Sequence, residues 1–260
     1  MSDNSQNNKR IAKNTIFLYI RMLILMFVSL YTSRVVLSAL GVEDYGIYNV
    51  VGGIITLFTF VNGGMVSATQ RYLTFEIGKG NTMQLNKVFS TSLLIHAIIA
   101  LIVFLLGETI GLWFLYEKLV IPAERMSDVF WVYQCSIIAC IINIMSVPYN
   151  ATIIAHEKMS AFAYISILEA VLKLFIVYML YITPWNKLIS YSVLVLSVQI
   201  IIRYTYARYC KKHFAEAHYR HKIDKSLLKE MTSFAGWSLT TSIAYVLSSQ
   251  GLNMMLNMFF

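Results

Sequence analysis

The chain has 260 residues, of which 58% are hydrophobic and 13% charged, with a mean hydropathy of +0.63 and a formal net charge of +8. A soluble chain carries roughly a quarter charged residues, so water is the wrong solvent for most of this one. Its charge-free windows suit a hydrocarbon core about 30 Å thick, which takes roughly 20 helical residues to cross. The positive residues lie beside apolar spans, a placement that serves orientation and not nucleic-acid binding. Cys135, Cys140 and Cys210 form neither a metal-like spacing nor a disulfide framework, so no metal and no cofactor is expected.

In chain order, residues 1–13 read as a disordered polar tail without a signal-peptide cleavage site. The first span covers about 14–37, is interrupted by Arg21 and closes near Arg34. A turn-like LGVEDYG at 40–46 carries Glu43 and Asp44, and the second span, 45–70, contains Asn62-Gly63-Gly64, a triplet suited to a gating bend. Arg71, Glu76, Lys79 and Lys87 surround the next connector, with turns expected at Gly78 and Gly80-Asn81. A third span at 88–106 leads into a long, net acidic loop. The fourth, 129–155, contains Pro148, which removes a helix hydrogen bond and is expected to kink its end. His156-Glu157-Lys158 make a tight return. The fifth span is 161–182, Thr183-Pro184-Trp185 turn the chain, and the sixth is 188–203.

A polar run from Arg203 to Met231 follows, with eight Lys or Arg against three acids. It reads either as a short amphipathic helix on the inner leaflet or as a solvated connector over 204–233. Fifteen of the 21 basic residues fall on the side of this run and of the N-terminus, and four on the other. Basic loops stay cytoplasmic, so the N-terminus is expected inside. Residues 231–260 hold no charged side chain and 234–260 read as a seventh span. The expected fold is therefore all-α: a polytopic inner-membrane protein with one six-span helical bundle and the first span of a second. The apolar ending predicts a truncated chain or an isolated half.

The stretches NTIFLYIRMLILMFVSLYTSRVVLSALGVEDYGIYNVVGGI at 14–54 and NGGMVSATQRYLTFEIGKGN at 62–81 resemble the polysaccharide and lipid-linked oligosaccharide flippases of the multidrug/oligosaccharidyl-lipid/polysaccharide exporter superfamily, of the O-antigen or capsule repeat-unit type. The resemblance covers the first third of the chain. It implies two six-span bundles around a central cavity, and so the N-terminal half only in this chain. It further implies translocation of undecaprenyl-diphosphate-linked oligosaccharide across the bacterial inner membrane for surface polysaccharide biosynthesis. Partners implied are the lipid-linked oligosaccharide, the phospholipid bilayer, a polysaccharide polymerase or glycosyltransferase, and a second half or second copy.

Charged groups inside spans are costly and face a bundle interior or a watery cavity. Arg21 either snorkels to the surface or meets a substrate diphosphate; Arg71 is either an inside anchor or a cavity residue. Glu169 and Lys173 stand four residues apart in mid-span and share a helix face. Either Lys173 makes the cavity positive, with Glu169 as its counterion or a proton- or sodium-coupling group, or the pair stitches helices together. Arg34 at the outer mouth pairs with Glu43 or Asp44, or anchors the interface. Gln134, Asn143 and Gln199 are explained most simply by helix–helix hydrogen bonds. A multidrug or organic-cation exporter of the same superfamily and a non-transporting assembly protein for glycan synthesis remain alternatives. No enzyme is expected, since no DxD, HExxH or phosphate-loop motif occurs.

Overall fold

Gly41 is the one residue inside the first helix that leaves helical geometry. The structure, a computed structural model, describes residues 2–59, 62–119, 121–219, 224–237 and 240. In it α1 (Ser2–Thr59) bends at Gly41, with φ 83° and ψ 170°, a backbone region open essentially only to glycine. The seven-residue turn expected at 40–46 thus contracts to one residue. The apolar stretch Ile11–Gly53 runs 43 residues, about twice what a bilayer needs, and the elbow divides it into two passes. A Cβ at Gly41 would meet nothing within 4 Å, so Gly41→Ala is expected to cost backbone strain alone, about 1–3 kcal/mol. The thermal midpoint in detergent measures it, and an unchanged midpoint would mean that the elbow geometry is dispensable.

The remaining elements are α2 (Asn62–Lys79), α3 (Thr82–Leu106), a π-turn Gly107–Gly111, α4 (Leu112–Glu117), a 3₁₀ turn Ala123–Arg125, α5 (Met126–Ala155), α6 (Met159–Ile182) and α7 (Lys187–His213). Residues 225–237 add a further helical stretch. Among the described residues there is no strand. Among the described residues five helical stretches are long and apolar enough to cross a membrane, the first being the bent one; the chain is an all-α polytopic membrane protein.

Several boundaries differ from the sequence reading. The tail expected to be disordered is helical from Ser2, because extending an existing helix needs no new nucleus. The acidic loop expected after Leu106 is instead helical to Glu117. Gly107 does not break the helix there: it lets Ile137 approach so closely that a Cβ would meet its Cδ1 at 2.8 Å, and the buried Tyr133 hydroxyl donates to Gly107 O at 2.7 Å. Gly78 is inside α2, and the turn is Gly80 (φ 67°) with Asn81, whose side chain caps α3 by accepting from Gln84 N at 3.1 Å. α7 runs unbroken past Arg203 to His213, so the first eleven residues of the polar run continue the sixth span as helix and do not form a separate surface segment. Residues 241–260, the bulk of the expected seventh span, lie outside the described residues.

Contacts between distant turns establish the alternation of passes. At one end, the elbow end, Asp44 forms an ion pair with Arg125, Arg125 reaches Asp128 at 3.2 Å, Asn186 donates to Asp128 at 2.6 Å, and Lys187 donates to Ala39 O at 3.3 Å. At the other, the basic end, Asn86 donates to Glu216 O and His218 O at 2.9 and 2.8 Å, His156 pairs with Glu216, and Lys87 reaches Asp224 at 4.0 Å. Turns after odd-numbered passes gather at one end and turns after even-numbered passes at the other, as six antiparallel passes require. The core lies along α3 and α5, each with 56% of its most apolar window buried, against 17% for α1. α1 therefore presents most of its apolar surface outward.

Candidate functional site: a polar cavity between the bent helix and α6

The two arms of α1 return past one another beside α6 and α7, and between them lies a cavity of about 420 Å³. Val28, Ser29, Thr32, Ser33 and Val36 come from the first arm, Tyr45, Tyr48 and Asn49 from the second, Ser166, Glu169, Ala170 and Lys173 from α6, and Tyr191 from α7. Arg21 closes it toward the basic end. The guanidinium of Arg21 sits 4.3 Å from the Phe162 ring centroid, so the cation is sheltered by an aromatic face. Its buried Nε and the buried hydroxyl of Thr32, another lining residue, have no hydrogen-bond partner among the described residues.

Lys173 Nζ lies 2.7 Å from Glu169 Oε1, the ion pair expected from their four-residue spacing. Gln199 of α7 donates to the same oxygen at 3.3 Å, a helix–helix hydrogen bond of the kind expected for it. Arg21, Glu169 and Lys173 therefore converge on one cavity, whose formal balance is two cations to one anion. Tyr48 and Gln199 also line a second cavity of about 210 Å³, shared with Asn143, Ser136 and Ser192 between α1, α5 and α7. On the exposed side of the same two helices, the hydroxyls of Tyr31 in α1 and Tyr178 in α6 lie 3.1 Å apart.

Other singled-out residues lie elsewhere. Arg71 stacks 4.7 Å from the Phe234 ring at the basic end and does not line the cavity. Asp44 pairs with Arg125 and not with Arg34; Arg34 and Glu43 are exposed. Asn62, Gly63 and Gly64 form the first turn of α2, against residues 60 and 61, which lie outside the described residues, as does any bend placed there. Pro148 is buried within the continuous α5.

The sequence reading missed two polar clusters. Fully buried His96 has Nδ1 2.8 Å from Ser92 O, and Ser92 Oγ lies 2.9 Å from Thr69 Oγ1 across to α2; a search for charged residues inside spans passes over a neutral imidazole. At the basic end, the His156 ring stacks on Phe214 at 4.3 Å while bonding Glu216, which is 6% exposed. Burial alone pushes the Glu216 carboxyl up, but the hydrogen bond and charge of His156, with a backbone donor, outweigh it and hold the group below its ordinary 4.5. A depressed folded value means that the unfolded chain binds the proton first. This contribution to stability is thus present above about pH 4.5 and is lost as pH falls through the folded value. In His156→Ala both the hydrogen bond and the charge that lower this carboxyl are gone, so the rise of thermal stability with pH below about 5 should be shallower than in wild type. Parallel slopes would mean that His156 does not set this carboxyl.

No family model matches the chain, and no curated protein matches it. Solved structures do. A multidrug resistance MATE family transporter of the MOP superfamily, in its outward-facing conformation, aligns at TM-score 0.69 and 17% identity over 92% of this chain and 54% of its own. MATE in complex with MaD3S aligns at 0.70 and 18%, over 95% and 56%. The chain has the fold of one MATE bundle. A MOP superfamily transporter from Pyrococcus furiosus, described as having a binding pocket of reverse polarity that suggests a different function, aligns with this MATE-type bundle at 0.63 and 18%, over 93% and 55%. The chain thus spans about half the length of the MATE and MOP transporters it matches.

Proposed function

We propose that this chain forms one bundle of an exporter that carries undecaprenyl-diphosphate-linked oligosaccharide repeat units from the cytoplasmic to the outer face of the bacterial inner membrane, for surface polysaccharide biosynthesis. The observation that carries the reading is the charge of the cavity: Arg21 and Lys173 against Glu169. Two cations on one cavity suit a diphosphate, and the Arg21 Nε and Thr32 hydroxyl, unpartnered among the described residues, offer donors to its oxygens. The hydroxyl and amide groups of Ser29, Ser33 and Asn49 suit the first sugar, while the polyprenyl tail remains in lipid. In this reading the N-terminus and the basic end are cytoplasmic, Glu169 is the coupling group for protons or sodium, and a second bundle or second copy supplies the opposite wall. Rocking of the two bundles gives alternating access. A polymerase or glycosyltransferase acts beside it.

Export of organic cations is the second reading, favoured by the aromatic lining of Tyr45, Tyr48 and Tyr191 beside an acid. The test is reconstitution of the chain with its complementary bundle in proteoliposomes. Movement of a labelled diphosphate-linked oligosaccharide supports the first reading. Movement of a quaternary ammonium dye without it would replace that reading with the second. A folded protein moving neither would leave a non-transporting role in glycan assembly.

A further inference from the structure

We propose that the exposed face of α7 beyond Arg203 binds the phosphate headgroup of an anionic membrane phospholipid. Tyr204, Ala207, Arg208, Lys211 and Lys212 recur at helical spacing and line a shallow recess of about 470 Å³. On the opposite face Ile202, Tyr206 and Cys210 are buried at 3%, 4% and 0% exposure, so the helix cannot rotate this stripe away. Arg208 Nη1 donates to the Tyr204 hydroxyl at 3.3 Å, which orients the guanidinium over the recess.

Depth points to a lipid as the source of the phosphate. α7 continues ten residues past Arg203, roughly 15 Å at 1.5 Å per residue, and a headgroup layer is about 5–8 Å thick per leaflet. With the hydrocarbon boundary taken at Arg203, where the sixth span ends by sequence, Tyr204 stands at the interface as aromatics do, and Arg208 about 6 Å further out, at phosphate level. Lys211 and Lys212 lie one turn beyond and reach back on their long stems. Charge points the same way. No acid occurs between Arg203 and Ala215, and the next along the chain, Glu216, is buried and engaged by His156. A helix C-terminus carries only about half a negative charge, too little to balance three cations. The inference is independent of what the cavity carries.

The experiment is native mass spectrometry of the full chain in neutral detergent, titrated with phosphatidylglycerol or phosphatidylcholine. Wild type should retain phosphatidylglycerol preferentially. Each near-surface cation is worth about fivefold in affinity, so R208Q/K211Q/K212Q should lose roughly a hundredfold, R208Q alone about fivefold, and the charge-preserving R208K/K211R/K212R little. All altered side chains are exposed, and an unchanged circular dichroism spectrum verifies folding; the single R208Q carries the comparison should the triple variant misfold. Equal retention of the two lipids by wild type, or undiminished phosphatidylglycerol binding by R208Q and the triple variant, overturns the proposal. So does water-soluble glycerol phosphate binding as tightly as the lipid, which would make this a site for free phosphate.

Discussion

Lys173→Gln is expected to lower translocation of a diphosphate-linked substrate by roughly ten- to a hundredfold, the equivalent of one charge-assisted hydrogen bond. Lys173 and Arg21 are the cations of the cavity, and Lys173 is held 2.7 Å from Glu169. Glutamine keeps a donor for Glu169 and much of the side-chain volume, but leaves one cation facing one anion where there were two. Thermal stability should change little, since Gln199 already donates to the same carboxylate and the lysine is partly exposed. Glu169→Gln separates the roles: it raises the positive charge, so it should preserve substrate binding while removing any dependence of flux on a proton or sodium gradient. The measurement is initial flux in proteoliposomes together with the detergent melting midpoint. Normal flux with a lowered midpoint in Lys173→Gln would reduce the pair to a helix-stitching role.

Asn86→Asp is expected to destabilise the protein by about 3 kcal/mol or more. Asn86 is 7% exposed and uses both hydrogens of its amide nitrogen, donating to Glu216 O at 2.9 Å and His218 O at 2.8 Å. An ionised aspartate has no hydrogen to give and would set a carboxylate against two carbonyl oxygens. Two hydrogen bonds are lost and buried acceptors are left unsatisfied, each loss costing about 1–3 kcal/mol. Asn86→Ala loses the same bonds without the repulsion and should fall between. The check is thermal unfolding in detergent with limited proteolysis after α7, which this amide ties to the start of α3. Equal midpoints for Asp and Asn would mean that the contact does not hold the segment down.

These residues differ in how far they could be read without a structure. Glu169 and Lys173 were legible because helical spacing alone puts positions four apart on one face. Their convergence with Arg21 was legible only through the family resemblance, since nothing in a span's composition says which neighbour it packs against. Asp44 shows the limit: its partner is Arg125, 81 positions away, while the Arg34 nearer in sequence is exposed. Boundaries were misplaced where helix and membrane span were treated as one object. Residues 107–117 and 204–213 are polar enough to leave hydrocarbon yet remain helical, because helix propagation does not stop where the lipid does. His96 and the Asn86 bridge escaped because a neutral polar side chain carries no sign of its burial in the sequence.

The Asp44–Arg125 pair also bears on how the protein is made. At roughly 5–20 residues per second, the ribosome needs about 4–16 s to deliver Arg125 after Asp44. Through that interval the hairpin formed by α1 stands in the bilayer with its elbow acid unmatched, and α6, its main support, has not been synthesised. The elbow's glycine is thus in place well before the ion pair, a late fastening that can close only when the fourth pass arrives.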